Sequence, residues 1–472
     1  MADRNYLYYD FTTSVCSQCL RKVEAKIIFQ DEKVYMLKNC FIHGREKVLI
    51  ATDIEYYKMT RNYLKPPSIP RIFNTEVKYG CPYDCGLCTD HEQHSCLAVV
   101  EITDRCNLTC PTCYAESSPH FGRHRTVEEV ERMFDIVVAN EGEPDVIQIS
   151  GGEPTIHPDI FKIIDIAKTK PFKHIMLNTN GIKLAKDEEF VKRLASYMPG
   201  FEVYLQFDSF EQKTLEQIRG EDLRDVRMKA IDNLNKYNLS TTLVVTMQKG
   251  LNDHEIGKII QFAIKQKSVR GVTFQPTQIA GRLKNFDPAA DRITLTEIRN
   301  EIVKQSNLFT ADDILPVPCN SDCLAMGYAL KMAGGVFPLT RFINPKDLLE
   351  DSRNTIVYEK DDQLHKKIIK VFDTGQNGNQ VPNNLQALLC CLPKVAAPNL
   401  RYDNIFRVII MQFLDAYNFD VRAVKKSCVH IVHKDGRIIP FDTMNLFYRD
   451  GKEAYLKSLQ EEARTTYEKV AK

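Results

Sequence analysis

Cysteines are the residues of this chain whose spacing most clearly indicates chemistry. The 472 residues include fifteen of them, and the stretches KYGCPYDCGLC and TDRCNLTCPTC both read Cys-x3-Cys-x2-Cys. Three thiolates at this spacing can wrap one face of a cubane iron–sulfur cluster and leave its fourth iron open to a ligand. Because disulfides are rare in reducing compartments, such short and regular spacings predict metal ligation rather than pairing.

The second of these stretches, residues 103–113, has the better position for catalysis. Cys106, Cys110 and Cys113 directly follow LAVVEIT, a predicted first strand. A parallel α/β barrel carries its chemistry at the carboxyl ends of its strands. Tyr114 follows the third cysteine, and SGGEP ends the next predicted strand. Together these features resemble the signature of the radical S-adenosylmethionine (SAM) superfamily, in which the aromatic residue lies near the adenine of SAM.

Glycines and polar residues at the ends of the predicted strands are further candidates for binding SAM. Glycines let the backbone approach a ligand closely. The backbone at the glycines is expected to approach the amino group of SAM, and polar side chains can hold the ribose and the carboxylate. These candidates are Gly151, Gly152, Glu153, Pro154, Asn178, Asn180, Gln206, Asp208 and Thr246, with Tyr114 beside them.

The first stretch, residues 78–88, precedes the predicted strands and has a further cysteine behind it. Four thiolates can occupy all four irons of a [4Fe–4S] cluster and leave no iron for SAM. We therefore expect one SAM site and one closed auxiliary cluster. The expected ligands of the auxiliary cluster are Cys81, Cys85, Cys88 and Cys96. In the alternative, Cys96 is a buried thiol at the start of the first strand, and His91 or His94 is the fourth ligand.

The N-terminus carries the spacing of a mononuclear metal site. Cys16 and Cys19 are separated by two residues, and so are Cys40 and His43. Such a knuckle binds four-coordinate Zn or a rubredoxin-like Fe, and thiolates suit both metals.

Cysteines of the C-terminal third predict a second auxiliary cluster. Cys319 and Cys323 have Cys-x3-Cys spacing, and Cys428 lies further along the chain. One of the adjacent pair Cys390 and Cys391 is expected to complete the set, because two neighbouring cysteines seldom both fit one cubane.

Alternating strand-like and helical patterns predict the fold that must position these residues. Strand-like runs at 97–103, 145–150, 174–178, 202–208, 241–247 and 271–277 are separated by helical stretches. One of these, TVEEVERMFDIVVAN, begins with a capping-box pattern at Thr126 and Glu129. Six βα-type units indicate an α/β protein with a partial (β/α)6 TIM-type radical SAM barrel.

The expected organisation has four parts. Residues 1–75 form the N-terminal metal-knuckle module, and 76–96 form the segment of the first auxiliary cluster. The barrel occupies 97–312, and 313–472 form a C-terminal auxiliary-cluster domain. Within the last part, the apolar stretch 406–420 is predicted to be core, with a substrate channel as the alternative.

Composition narrows the function classes. The 63 basic and 62 acidic residues leave a net charge of +1 with no basic block, which argues against nucleic-acid binding. The sequence has no apolar stretch of membrane-spanning length, and MADRNYLYYDFTT lacks the apolar core of a signal peptide. We therefore expect a cytoplasmic protein, with peripheral membrane contact if its substrate is a lipid.

The order of the features is similar to that of the tetraether synthase family of radical SAM proteins over essentially the whole chain. The knuckle precedes GCPYDCGLCTDHEQHSC, the SAM cassette, PC-x3-C, a double cysteine and FDVRAVKKSCVHIVHKDGRIIPF. The resemblance implies an enzyme that joins the ends of alkyl chains in membrane lipids, using three [4Fe–4S] clusters and one mononuclear metal. His43 departs from the family, whose mononuclear iron site is rubredoxin-like.

The sequence therefore predicts a radical SAM enzyme. One electron would cleave SAM to methionine and a 5′-deoxyadenosyl radical, which abstracts hydrogen from an unactivated carbon. The first interpretation is carbon–carbon bond formation between lipid alkyl chains. The alternatives are a peptide maturase, a methylase of a pterin-like heterocycle and a non-catalytic metal-binding adaptor. Expected partners are a lipid or other small-molecule substrate and an electron donor such as flavodoxin or ferredoxin.

Overall fold

A computed structural model describes residues 4–63, 68–284, 286–332, 335–341, 404–449 and 451–470. The predicted ligand pair Cys390 and Cys391 lies outside the described residues.

The N-terminal strands form a four-stranded antiparallel meander, in the order β1-β2-β3-β4. Alternating burial along β2 turns Val23, Ala25 and Ile27 inward while polar residues between them face solvent. Tight turns carry Cys16, Cys19 and His43, and Cys40 ends β3. We call residues 7–52 the ribbon. Its strands are β1 (Leu7–Val15), β2 (Lys22–Gln30), β3 (Lys33–Cys40) and β4 (Gly44–Ala51).

A large, mostly parallel sheet follows, which confirms the predicted α/β class. In the described part of the chain twelve strands form it, in the order β13-β14-β16-β11-β10-β9-β8-β7-β5-β17-β18, with β15 paired to β14. The strands that follow the ribbon along the chain, including two outside this sheet, are β5 (Leu97–Thr103), β6 (Thr112–Cys113), β7 (Val146–Gly151), β8 (His174–Thr179), β9 (Phe201–Gln206), β10 (Thr241–Met247), β11 (Val269–Pro276), β12 (Arg282–Leu283), β13 (Leu315–Pro316), β14 (Leu324–Met332), β15 (Gly335–Pro338), β16 (Ile405–Met411), β17 (Val429–Val432) and β18 (Ile438–Pro440). The two short strands β6 and β12 pair separately.

Most of the helices pack against one face of the sheet, and the last three contribute to the core of the other face. The helix predicted after the second cassette is confirmed and spans Val127–Glu141. Thr126 and Glu129 form the expected capping box, and the apolar stripe of the helix is buried. The helices are α1 (Ile54–Met59), α2 (Val127–Glu141), α3 (Ile160–Thr169), α4 (Ile182–Lys186), α5 (Glu188–Ala195), α6 (Gln212–Arg219), α7 (Arg224–Tyr237), α8 (Ile256–Lys265), α9 (Leu295–Ser306), α10 (Val421–Lys425), α11 (Phe441–Thr443) and α12 (Glu453–Val470), and a π-helix spans Met444–Tyr448.

The two faces of the sheet bury different residues. Alternation along β5 turns Ala98 and Val100 toward the helices and Leu97 and Val99 toward the other face. On that other face the core includes sulfur-bearing residues, among them Cys85, Cys96, Cys319, Cys323 and Cys428. The sheet thus separates an ordinary apolar core from a core rich in thiols.

Two parallel strands extend the six predicted βα units. β16 pairs with β11, and β17 pairs with β5, so both lie parallel to their neighbours in the sheet. β17 and β18 form the predicted hairpin around Asp435 and Gly436. Since these strands come from the C-terminal region, the sheet crosses the predicted boundary between 97–312 and 313–472. No helix within the described ranges is both long enough and apolar enough to cross a membrane.

Candidate active site and metal centres

The second cassette lies at the carboxyl edge of the parallel strands. Cys106, Cys110 and Cys113 follow the end of β5, and their side chains line one cavity. Cys106 and Cys110 are buried, and Cys113 is half-buried. The cavity runs from these thiols across the ends of β7, β8, β9, β10 and β11, where a parallel sheet presents its ligands.

Two glycines let the end of β7 lie directly against this cassette. The N–H of Gly152 donates to the carbonyl of Thr103 at 2.8 Å, and the N–H of Glu153 donates to the carbonyl of Arg105 at 2.9 Å. A Cβ on Gly152 would overlap that Arg105 carbonyl, and a Cβ on Gly151 would overlap the Thr103 carbonyl. Only glycine therefore permits this approach.

Glu153 uses its carboxylate to join loops rather than to line the cavity. One oxygen accepts from the hydroxyls of Thr155 at 2.5 Å and Thr179 at 2.7 Å, and the other accepts from the N–H of Asn180 at 2.7 Å. Burial raises the pKa of this carboxyl, although these donors oppose the rise. Pro154 begins the short helical turn after Glu153 and also lies outside the cavity lining.

Asp208 likewise acts through a neighbour. Its carboxylate accepts two hydrogen bonds from Arg219, at 2.7 and 2.8 Å, and Arg219 also donates to the Thr246 hydroxyl at 3.1 Å. Arg219 and Thr246 line the cavity, whereas Asp208 does not. Asp208 has a φ of 66°, a left-handed conformation uncommon for a non-glycine residue.

The other predicted SAM candidates line the cavity. Gly151, Gly152, Tyr114, Asn178, Asn180, Gln206 and Thr246 all do so. The side-chain amide of Asn178 donates to Ser150 at 3.1 Å, and that of Asn180 donates to Asn107 at 2.7 Å. The Tyr114 ring has the Arg449 guanidinium 5.2 Å from its centroid.

The far wall of the cavity combines aromatic rings with carboxamides, and sequence reasoning missed it. The Phe413 and Phe441 rings stack with centroids 4.1 Å apart. Gln275 donates to the Tyr204 hydroxyl at 3.1 Å, and Gln278 donates to a backbone carbonyl at 2.7 Å. Gln275 lies near the end of a predicted strand, where Gln206 was recognised. Phe413 lies in the apolar stretch 406–420, for which a substrate channel was only the alternative interpretation, and Phe441 carries no such signal.

Ionisation differs between the thiol groups. Burial raises the pKa of Cys106 to about 12. Burial also raises the pKa of Cys110, and the charge of Arg219 opposes that rise. Burial alone would raise the pKa of Cys40, but N–H donors of His43 and Ile42 outweigh it and lower that pKa to about 6. Metal binding at the second cassette must therefore displace protons, whereas the ribbon offers a thiolate in advance.

The first cassette has its own anchors. One oxygen of the Asp84 carboxylate accepts the N–H groups of Lys78 at 2.6 Å, Tyr79, and Gly80 at 2.9 Å. This arrangement fixes the loop that leads into the cassette. The N–H of Leu87 donates to the carbonyl of Ile438 in β18 at 3.0 Å. Cys85 and Cys88 are buried, and Cys81 is half-buried.

The structure brings Cys96 beside Cys319 and Cys428, whereas the sequence grouped it with the first cassette. Its sulfur lies within 4.8 Å of the sulfurs of Cys319 and Cys428, and the latter two are 3.6 Å apart. The reason is strand register. Leu97 in β5 pairs with Val429 in the parallel strand β17, so the cysteines that precede them lie side by side. We call Cys96, Cys319 and Cys428 the thiol trio.

The remaining predicted ligands of these clusters take other places. Cys323 is buried but does not belong to the thiol trio. His94 approaches Cys96 at 3.4 Å and Glu141 at 3.1 Å. His91 lies 2.9 Å from the carbonyl of Ser427 and 3.1 Å from His430.

The ribbon brings its four predicted ligands together. Cys16, Cys19, Cys40 and His43 have ligand atoms that all lie within 4.8 Å of one another, with 3.8 Å between the sulfurs of Cys19 and Cys40. Thiolates about 2.3 Å from a tetrahedral ion are about 3.8 Å apart. Among the described residues neither cassette forms a group this tight, as expected if each thiolate binds a different iron.

Comparison with known proteins agrees with this geometry. A family model described as the radical SAM superfamily matches residues 100–263, and a model described as the HMPTM N-terminal zinc ribbon domain matches residues 8–52. The fold and the cassette at the strand ends thus define a radical SAM enzyme with an N-terminal zinc ribbon.

Relatives narrow the class further. The chain is 33% identical to the 7,8-dihydro-6-hydroxymethylpterin dimethyltransferase of Methanocaldococcus jannaschii, over 94% of both chains. It is 30% identical to the probable GTP 3′,8-cyclase of Pyrococcus abyssi, over 36% of this chain and 53% of that one. The chain belongs to the radical SAM superfamily and, within it, to the family of the M. jannaschii protein.

Solved structures resemble parts of the chain. SuiB of Streptococcus suis bound to S-adenosylmethionine matches 40% of this chain and 43% of its own, at 19% identity and a TM-score of 0.35. The FeFe-hydrogenase maturase HydG of Carboxydothermus hydrogenoformans matches 45% of this chain and 52% of its own, at 12% identity and a TM-score of 0.37.

Proposed function

We propose that this protein is a radical SAM methyltransferase that acts on 7,8-dihydro-6-hydroxymethylpterin or a heterocycle of the same shape. Its full-length similarity to the M. jannaschii enzyme supports this substrate class. The reported relatives are named for pterin and GTP chemistry, so they do not support the lipid interpretation that the sequence first suggested. The observation that carries the proposal is the cavity wall of stacked rings and carboxamides.

That wall suits a flat heterocycle better than an alkyl chain. Phe413 and Phe441 offer a stacked aromatic surface, on which a pterin ring can lie. Gln275 and Gln278 present amides, which both donate and accept hydrogen bonds as the edge of a pterin requires. An alkyl chain could form no hydrogen bond with the amide positions that remain after Gln275 donates to Tyr204 and Gln278 donates to the Leu414 carbonyl. It would therefore remove them from water at a cost in binding energy.

The residues at the other end of the cavity would hold the cofactor. Cys106, Cys110 and Cys113 are spaced for a [4Fe–4S] cluster with one open iron, and the cluster with SAM supplies a 5′-deoxyadenosyl radical. Tyr114, Gly151, Gly152, Asn178, Asn180, Gln206 and Thr246 would contact SAM. Glu153, Pro154 and Asp208 would act indirectly by fixing the loops and Arg219.

Further metal centres belong to the proposal. Cys81, Cys85 and Cys88 would hold an auxiliary cluster, and the thiol trio would form a separate thiolate centre. The separation of 3.6 Å between two trio sulfurs is close to that of thiolates sharing one ion. The ribbon ligands would bind Zn or Fe. We also propose that the sheet curves into the expected partial barrel, that the protein is cytoplasmic, and that a flavodoxin or ferredoxin donates the electron.

The test is turnover with a defined substrate. Anaerobic protein reconstituted with iron and sulfide is incubated with a reductant, SAM and 7,8-dihydro-6-hydroxymethylpterin. We expect 5′-deoxyadenosine and a pterin that has gained one or two methyl groups, as measured by mass spectrometry. SAM labelled in its methyl group then identifies the source of the carbon. The Cys106→Ala variant, treated identically, should form neither product.

Other outcomes separate the competing functions. Formation of 5′-deoxyadenosine with unchanged pterin would contradict the proposal. Joined alkyl tails in a lipid extract would instead support the lipid interpretation, and a modified small partner peptide would support the maturase. Absence of 5′-deoxyadenosine from fully loaded protein would support the adaptor.

A further inference from the structure

A buried lysine connects the ribbon to the wall of the active-site cavity. Lys38 lies in β3, and only 2% of its side chain is exposed. Its ammonium donates to the carbonyl of Val15 at 3.1 Å and to the carbonyl of Ala416 at 2.8 Å, and it pairs with Glu46 at 2.8 Å. Lysine is seldom buried unless its charge is compensated. These contacts therefore hold the ammonium at a fixed position between two parts of the chain.

The contact at Ala416 belongs to a segment that forms part of the cavity. We call residues 412–418 the wall segment, because Phe413 lines the cavity and stacks on Phe441. The next residue, Leu414, donates its N–H to Asp442 at 2.5 Å and accepts from Gln278 at 2.7 Å. The wall segment is thus fixed to the cavity on its inner side.

The outer side of the wall segment is held by charged groups. Asp415 accepts two hydrogen bonds from Arg292, both at 2.8 Å, and one from the N–H of Ile279 at 3.0 Å. Lys38 provides the corresponding contact from the ribbon, one residue further along at Ala416. Two cations therefore hold neighbouring residues of the wall segment. Arg292, from the loop before α9, binds Asp415, and Lys38 of the ribbon binds Ala416.

We infer that Lys38 is a positioning residue through which the ribbon sets the substrate-facing wall of the cavity. In this role a metal held by Cys16, Cys19, Cys40 and His43 would stiffen the turns that end β1 and β3. Lys38 transmits the position of β3 to Phe413 through the Ala416 carbonyl. The identity of the substrate rests on the proposed function, but the mechanical link does not.

Other contacts keep the ribbon attached, so the link can be tested by itself. The Thr12 hydroxyl donates to Asp420 at 2.6 Å, and the N–H of Thr52 donates to the Thr296 hydroxyl at 2.8 Å. Arg61 donates to Asp322 at 2.8 Å from the segment that follows the ribbon. Loss of the Lys38 ammonium should therefore loosen the wall segment without releasing the ribbon.

The experiment compares Lys38→Met, Lys38→Arg and a matched control, Lys47→Met, in metal-loaded anaerobic protein. Lys47 is exposed on the neighbouring strand β4 and donates to Gln30 within the ribbon. We expect amide hydrogen exchange in peptides covering 412–418 to rise roughly tenfold in Lys38→Met. Exchange should recover at least partly in Lys38→Arg and stay unchanged in Lys47→Met. Peptides covering 104–116 should exchange as in the parent protein.

Kinetics provide the second measurement. In Lys38→Met the KM for 7,8-dihydro-6-hydroxymethylpterin should rise while kcat and substrate-free formation of 5′-deoxyadenosine change little. Unchanged exchange at 412–418, or an equal rise across 412–418 and 104–116 with a lower Tm, would overturn the inference. If the parent protein does not methylate the pterin, the proposed function fails, and the exchange data alone decide the role of Lys38.

Discussion

The two cassettes share one spacing but not one environment. Cys106, Cys110 and Cys113 follow a strand whose carboxyl end faces a cavity, while the first cassette precedes that strand and packs against β18. The loop of the first cassette is held by the Asp84 carboxylate, which accepts hydrogen bonds from three backbone N–H groups. Under the proposed function the same spacing would hold a cluster at both cassettes, and the position in the sheet would decide which cluster SAM can reach.

The thiol trio extends the contrast along the same strand. Cys96 precedes β5 and Cys106 follows it, so seven strand residues separate the two ends, a distance of about 20 Å. Metal bound at the trio would therefore lie at the opposite end of the strand from SAM. A role in electron transfer or stability suits that distance better than direct contact with the substrate.

The largest expected effect separates the two cassettes directly. Cys106→Ser should abolish formation of 5′-deoxyadenosine, because SAM loses the cluster that binds it. Cys81→Ser should lose iron and sulfide but still cleave SAM. Chromatographic assay of 5′-deoxyadenosine, with iron and sulfide analysis, makes the comparison. Equal loss of cleavage in both variants would mean that the first cassette also serves the SAM reaction.

The next largest effect compares one glycine beside each cassette, Gly152 and Gly86. Gly152→Ala would drive a Cβ into the Arg105 carbonyl, which cannot move without moving Cys106. Misplacement by about 1 Å should lower SAM cleavage about 100-fold. Gly86→Ala in the first cassette is strained as well, by its φ of 155° and by the Thr75 side chain, but this strain falls outside the SAM cassette. Rates of cleavage should therefore fall much less in Gly86→Ala, and a comparable fall would contradict this interpretation.

The buried carboxyl of Asp442 predicts a pH effect on stability. Burial raises the pKa of Asp442 to about 6, although Leu414 and Ser427 donate to it. Because the folded protein holds this proton more tightly than the unfolded chain, its stabilising contribution is present below about pH 4 and is lost as the pH rises through 6. The cost at pH 7.5 is on the order of 3 kcal/mol.

Thermal unfolding between about pH 5.5 and 7.5, a range around the shifted pKa, measures the direction in which stability changes with pH. The parent protein should gain stability as the pH is lowered, and Asp442→Asn should lose most of that dependence. The prediction is wrong if the parent protein loses stability as the pH is lowered from 7.5 to 6 and Asp442→Asn does not.

The smallest expected effect tests the anchors of the cassettes. Asp208→Asn removes a charged acceptor from Arg219, so the Kd for SAM should rise about tenfold. Asp84→Asn should leave SAM affinity intact and reduce the iron content of the first cassette. Equilibrium binding of SAM and metal analysis measure the two results, and a reversed pattern would contradict the comparison.

Local sequence was enough to predict the second cassette and its neighbours. The cysteines, Tyr114 and SGGEP are contiguous strings at predicted strand ends, and the structure places their thiols, ring and glycines along one cavity. Glu153 and Asp208 were predicted to bind SAM directly, but their carboxylates hold loop and arginine partners instead. Sequence shows that a polar residue ends a strand, but not which group it faces.

Long-range pairing explains what the sequence did not predict. Grouping Cys96 with Cys428 requires the parallel register of β5 and β17, which come from distant parts of the chain. Arg219 lies in an amphipathic helix with no distinguishing signal, and the apolar run containing Phe413 was expected to be core. The stacked rings of the cavity arise only when β16 and β18 take their places in the sheet.

The placement of β16 and β17 also dictates an order of assembly during synthesis. These late strands cover the outer edges of β11 and β5, so both edges stay open until the ribosome has made almost the whole chain. We expect iron and sulfide to be inserted during that interval, while the thiols are still accessible to carrier proteins. A chain truncated before residue 405 would keep its cassettes but leave the edges of β5 and β11 unpaired. It should therefore aggregate rather than fold and bind its clusters.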